Sequence, residues 1–168
     1  TQACSANMQG STLSCFLVAM AELGYVDGKN VSFEFRFAED DYKKLPALAA
    51  ALVRLRPDVI LTAGPGAIAA ANATTTIPII VGPASEETLT RLAGNLAHPT
   101  GNVTGFALTS IEQELKCLQL LKELALRTSR VAFLVNPDNP GSRDYPGVLA
   151  APATQLGVTL IRIEARNV

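Results

Sequence analysis

The sequence predicts an α/β protein of the Rossmann-like, doubly wound kind, with parallel strands layered against helices. Three observations carry this. Continuous apolar runs recur at DVILTA (58–63), IPIIVG (77–82) and RVAFLVN (130–136), the pattern of strands buried on both faces. Each run ends in a turn rich in glycine, proline or asparagine. A stretch with helical spacing then follows, and alternation of this kind demands parallel pairing through crossovers.

The elements follow in order. In STLSCFLVAMAELG (11–24), Leu13, Phe16, Leu17, Met20 and Leu23 recur at helical spacing, with Ser11 placed to cap the start and Gly24 to end it. VDGKN is a turn by its Asp-Gly pair. VSFEFRF (31–37) alternates strictly, with Val31, Phe33, Phe35 and Phe37 on one side, and predicts a half-exposed strand near a sheet edge. In the helix of 38–57, acids lie at the start and arginines at the end, as the helix dipole prefers. Pro46 fits only a first turn, so the helix proper begins near Leu45. After the strand 58–63, GPGAIAAANAT is a glycine turn into a small-residue helix. After the strand 77–82, EETLTRLAGNLAHP is a helix stopped by Pro99. A further helix spans Ser110 to Leu126. Beyond the strand 130–136 come a long turn (137–147), a short helix (148–157) weakened by Pro152, and a last strand, VTLIRIEA (158–165). A fold of this kind opens with a strand, and TQACSANMQG holds no apolar run to supply one. The chain is thus expected to be trimmed at both ends.

A chain of 168 residues has room for one domain, or for one and part of another. Its 48% hydrophobic content suffices for a core. The net charge of −1 and the scattered Lys and Arg residues argue against a nucleic-acid partner and against an anionic membrane surface. The apolar run around Phe16 to Leu23 is too short to span a bilayer. No basic segment leading into an apolar one opens the chain, which implies a cytosolic protein or a leader already removed. Cys4, Cys15 and Cys117 lack C-x-x-C spacing, and the single histidine, His98, cannot complete a zinc cluster, so isolated thiols and no metal are expected. Ala3 before Cys4 leaves a lipid-anchor signal open, although Gln2 fits one poorly.

Ligands of open parallel sheets bind at the strand C-terminal ends. Three strand ends are candidates. Thr62, Gly64, Pro65 and Gly66 form a glycine turn into a helix, whose N–H groups attract anions; the bland reading is a tight turn. Its glycines match neither a Walker A loop nor G-x-G-x-x-G, because position 69 is alanine. Gly82 and Ser85 end the neighbouring strand, where Ser85 either faces a ligand or caps the helix at Glu86. Asn136 follows the third strand and offers a donor and an acceptor, unless Asn-Pro merely makes a turn. Catalysis finds no support: there is no Gly-x-Ser-x-Gly elbow, no matched carboxylate pair and no usable histidine. No cofactor is expected. The three Asn-x-Ser/Thr matches, at Asn30, Asn72 and Asn102, are of the kind that arises by chance.

ELGYVDGKNVSFEFRFAEDDYKKLPALAAALVRLRPDVILTAG, TTTIPIIVG, HPTGNVTGF and VAFLVNPDNP occur in this order. In this series the chain resembles the ABC-transporter substrate-binding proteins of the tryptophan/tyrosine type, from about residue 16 to 165. The resemblance implies a type I periplasmic-binding fold: two Rossmann-like lobes that hold a small solute, an amino acid by the family's example, between them. It implies a first lobe at 1–101, a crossover at 102–108 and part of a second lobe at 109–168. In that family GNVTG is the crossover, so Gly101, Asn102, Thr104 and Gly105 become hinge candidates and Thr104 a further ligand contact. A membrane permease as partner and a periplasmic location, with or without a lipid anchor, follow from the same resemblance. The chain departs from the family where an Asp-Pro pair is usual; here GPAS precedes Glu86 and Glu87. The family is also about twice as long, and its first strand is missing, a gap that another segment, a longer chain or a swapped homodimer would fill. The alternatives are a ligand-sensing module of a signalling protein and a flavodoxin-like enzyme.

Overall fold

The computed structural model describes residues 12–39, 41–140 and 145–166. Cys4 and Ser11 lie outside them. The chain divides into two compact units, one up to Arg36 and one from Phe37 onward.

The first unit opens with α1 (Thr12–Glu22). Gly24, at φ 89°, turns the chain out of the helix as expected. Asn30 then organises the turn: its Oδ1 accepts from the Val26 N–H at 2.8 Å and its Nδ2 donates to the Gly24 carbonyl at 2.9 Å. The expected strand at 31–37 does not form. The segment is extended, but its one ladder contact is an isolated bridge between Asp27 and Val31. Its alternation serves aromatic packing instead. The Phe33 ring meets Phe16 of α1 edge-on at 6.0 Å and stacks on Phe35 at 6.1 Å. An alternating segment becomes a strand only when a neighbouring strand completes its ladder, and among the described residues no strand pairs with this one.

The second unit holds two parallel sheets. A 3-10 turn over Tyr42–Lys44, capped by Asp41, leads into α2 (Leu45–Arg54), which starts where Pro46 requires. Then come β1 (Ile60–Thr62), α3 (Pro65–Ala73), β2 (Ile79–Ser85), α4 (Glu86–Ala93) and β3 (Val103–Thr109). The strands pair in the order β1-β2-β3, all parallel, with Ile60, Ile79 and Val103 in one row. That row and Val81 face Ala67 and Ala70 of α3 and Leu89 of α4, forming the core of the sheet. Small residues on α3 let the helix lie close to the strands.

Burial is one-sided, contrary to the expectation from the apolar runs. Ile79 and Val81 are fully buried, but Leu61 is 46% exposed and Ile80 40%. The helices that pack on this sheet, α3 and α4, bury a single face. A second departure concerns α4. It ends at Ala93 and not at Pro99, because Gly94 takes φ 75° and the Asn95 side chain accepts the Ala97 and His98 N–H groups.

The rest of the unit comprises α5 (Ile111–Leu124), β4 (Arg130–Val135), α6 (Tyr145–Gln155) and β5 (Thr159–Glu164). Ser110 begins α5 with a capping box: its hydroxyl accepts from the Gln113 N–H, and Gln113 Oε1 accepts from the Ser110 N–H at 3.0 Å. A backbone N–H bond and the Ser110 hydroxyl hold the Glu112 carboxyl below its ordinary range. α6 starts at Tyr145, inside the expected turn, since Pro146 suits a first helical turn; it runs through Pro152. β4 and β5 pair in parallel over their whole length, from Arg130 with Thr159 to Val135 with Glu164. β4, too, is buried on one side only: Val135 is 3% exposed and Leu134 61%.

Two contacts fix the entry of β3. The Asn102 amide donates to the Thr74 carbonyl at 3.1 Å and to that of Ile77 at 2.7 Å, tying β3 to the loop before β2. Three residues on, a Cβ on Gly105 would collide with the carbonyl oxygen of Val81, its partner across the ladder. Gly105→Ala is therefore expected to lower stability by about 1–3 kcal/mol, through strain between packed strands. Asn102→Ala leaves two carbonyls without their donor and is expected to cost about 1–3 kcal/mol. Urea midpoints at constant slope measure both; an unchanged midpoint would contradict either assignment.

Candidate functional site

The C-terminal ends of β1 and β2 meet at a glycine turn. Gly64 adopts φ 50°, ψ −130°, a conformation that side chains resist, and its N–H donates to the Pro83 carbonyl at 3.1 Å. Pro65 follows as the first residue of α3. A Cβ on Gly66 would lie 2.5 Å from the Thr62 hydroxyl, which would have to rotate away to admit one. The donors expected to stand open at the start of α3 are already engaged. The Gly66 N–H bonds the Ala63 carbonyl at 3.2 Å and the Ala67 N–H that of Gly64 at 3.1 Å. Pro65 has no N–H to give. Thr62, half-buried, remains the side-chain polar group of this turn.

Ser85 ends β2 and caps α4. Its oxygen accepts from the Thr88 N–H at 3.3 Å, and its hydroxyl lies 3.0 Å from that of Thr88 as donor. Gly82 is buried, and a Cβ there would make only ordinary contact with the Thr62 carbonyl. Between Val81 and Ser85 the β2–β3 register shifts twice, so β3 is irregularly held over its second half. Thr104 is exposed and pairs with Ile80, which puts it in the row of Leu61 and Ile80 on the open face. Gly101 is exposed with open space around its Cα, whereas Asn102 and Gly105 are anchored as described.

At the end of β4, Asn136 Oδ1 accepts from the Asp138 N–H at 3.0 Å and the Asn136 carbonyl from the Asn139 N–H at 3.1 Å, a compact turn. The parallel neighbour β5 ends at the same edge, where the Ala165 N–H bonds the Val135 carbonyl at 2.9 Å. One residue further, Arg166 Nε lies 3.4 Å from Asp138 Oδ2. Arg166 also approaches Glu164 at 3.8 Å, while Arg162 holds Glu164 at 3.0 Å. Sequence reasoning did not single out Arg166 or Asp138. The signal was a basic residue immediately after a predicted strand, opposite the turn of the adjacent one.

The strand-end residues thus fall into two groups within this unit: Thr62, Gly64, Pro65, Gly66, Gly82 and Ser85 on the first sheet, Asn136 on the second. A groove of about 310 Å³ lies elsewhere, between α5 and α6, lined by Leu115, Gln119, Pro152 and Leu156 among others. Among the described residues no cluster of His, Cys, Asp and Glu could hold a metal, and no helix is long and apolar enough to cross a membrane. His98 is exposed and sits beyond the end of α4. Cys117 is a free, exposed thiol, whereas Cys15 is disulfide-bonded and so is not the isolated thiol expected.

Comparison with known proteins matches these features to one family. A family model described as ABC transporter substrate binding protein matches residues 3–168. A tyrosine-binding protein of Clostridioides difficile is 32% identical over 130 residues, covering 76% of this chain and 37% of its own length. A crystal structure of a conserved domain protein from Vibrio cholerae superposes with a TM-score of 0.77 at 27% identity, over 90% of this chain and 51% of that one. A domain from Streptococcus pneumoniae in complex with L-Trp gives 0.73 at 26% identity, over 89% and 50%. The chain therefore spans about half the length of these solved relatives. With its parallel α/β architecture and a family match over nearly every residue, the chain belongs to the ABC transporter substrate binding proteins.

Proposed function

We propose that this chain is part of the solute-binding component of an ABC importer and that its solute is an aromatic amino acid. One observation carries the reading: the relatives it matches over 76% and 89% of its length are named for tyrosine and solved with L-Trp, respectively. The strand-end loops are in keeping with it. Thr62, Gly64, Pro65, Gly66, Gly82, Ser85 and Thr104 are assigned to one side of the solute and Asn136 to the other. Because the α3 donors, the Ser85 hydroxyl and Asn136 Oδ1 are all engaged locally, the Thr62 side chain is assigned the larger share of the polar recognition, with Asn136 contributing from its turn. Capture works by closure, with the solute favouring the closed form by its differential affinity.

The lobes of this reading are 1–101 and 109–168, joined at 102–108. Gly101, Asn102, Thr104 and Gly105 form its crossover. The Asn102 bonds and the close approach at Gly105 favour a bend later in β3, over Phe106 to Ser110, where the ladder is irregular and Phe106 and Leu108 are more than 60% exposed. The reading includes a membrane permease as partner and an extracytoplasmic location. The disulfide at Cys15 agrees with an oxidising compartment. No reaction is assigned.

Calorimetric titration of the full-length protein with L-Trp, L-Tyr and L-Leu tests the reading. Saturable binding of the aromatic amino acids, at least tenfold tighter than of L-Leu, is expected. Absence of any binding overturns it. Thr62→Ala and Asn136→Ala are each expected to weaken the aromatic ligand about tenfold, or about 1.4 kcal/mol, with the unfolding midpoint little changed.

A further inference from the structure

We propose that Arg166 and Asp138 form a charge pair that receives the zwitterionic end of an amino acid, Arg166 taking the carboxylate and Asp138 the ammonium. The proposal rests on the amino-acid reading above and deepens it.

The position of the pair is the first argument. β4 and β5 are parallel and end together, with Val135 opposite Glu164. The turn after one carries Asp138 and the second residue after the other is Arg166, so the pair closes the C-terminal edge of its sheet beside Asn136. That edge is where parallel sheets present their ligand-binding loops.

The second argument is how the pair differs from its neighbours. Arg36 with Glu34, Lys44 with Glu39, Arg162 with Glu164 and Arg166 with Glu164 join residues close in sequence. Arg166 with Asp138 joins two strand ends. As a stabilising device it is weak, because the side chains are 59% and 47% exposed and pairs in water contribute about 0–1 kcal/mol. What singles the pair out is its place: it spans two strand ends at the edge where parallel sheets bind ligands.

The third argument is charge balance. Arg166 uses Nε toward Asp138 and one terminal nitrogen toward Glu164, which is itself held by Arg162. A guanidinium has five N–H donors in a fixed fork, which leaves capacity for a carboxylate. Two acids and two bases make the group neutral overall. A zwitterion entering it leaves every charge opposite a partner, whereas a lone anion or cation leaves one unmatched. The pair therefore selects the class of solute that carries both charges side by side.

The test uses the full-length protein and calorimetry with L-Trp and L-Tyr, their carboxamides, which lack the carboxylate, and their deaminated acids, which lack the ammonium. Arg166→Gln is expected to weaken the amino acids tenfold or more while leaving the carboxamides unchanged. Asp138→Asn is expected to weaken the amino acids likewise while leaving the deaminated acids unchanged. Arg166→Lys should restore part of the loss. Thermal unfolding of each variant should match the parent, since both side chains are exposed. If the parent binds L-Trp or L-Tyr and both variants bind it equally well, the pair is an ordinary surface contact and this proposal alone falls. Parallel losses for all analogues would also overturn it. If the parent binds neither amino acid, this proposal and the reading beneath it fall together.

Discussion

The approach of β3 to β2 is the constraint on which the larger sheet depends. Val103 must lie in the row of Ile60 and Ile79 for the core beneath α3 and α4 to close. That register requires Gly105 to pass against the Val81 carbonyl without a Cβ. It also requires an external hold at the start of the strand, which the Asn102 amide supplies through two carbonyls of the preceding loop. Steric fit and hydrogen bonding thus act three residues apart, at the entry and in the first half of the same strand. The TGNVTG stretch is turn-rich because a strand enters the sheet there under tight geometric limits.

The same economy shapes the strand ends. The turn after β1 satisfies its own backbone groups, with Gly64 reaching Pro83 and with Gly66 and Ala67 bonded to residues just before them. Ser85 is committed to α4 and Asn136 to its own turn. A rigid, internally satisfied rim loses little conformational freedom when a solute arrives, which favours affinity. Specificity on such a rim rests with the few side chains that keep capacity to spare.

Much of this was legible in the sequence. β1 and β4 fall within the apolar runs and β2 begins in one but continues to Ser85, because continuous β-branched residues between turn formers have few other uses. Pro46 marked the start of α2 and Gly24 the end of α1. What could not be read was relational. The alternation at 31–37 reports two faces but not whether a partner strand exists. The apolar runs suggested burial on both faces, yet Leu61 and Ile80 carry the same apolar signature whether or not a layer covers them. Pro99 outranked Gly94 as a helix stop only because the Asn95 side chain, which takes over the turn, looks like any other polar residue. The Arg166–Asp138 contact joins positions 28 residues apart, and its signal, a basic residue just after a predicted strand, has meaning only once the adjacent strand is known.

The open face of the first sheet has a practical bearing on handling the chain. Leu61, Ile80, Phe106 and Leu108 leave 40–64% of their surface in water, and β1 is paired on one side only among the described residues. The edge segment DVILTA carries no lysine or proline to discourage further strand addition. At the concentrations used for purification or crystallisation, the described residues of this sheet offer an apolar face and an edge able to accept a further strand. Their colloidal behaviour is then governed by this patch and not by the net charge of −1, which is too small to keep molecules apart.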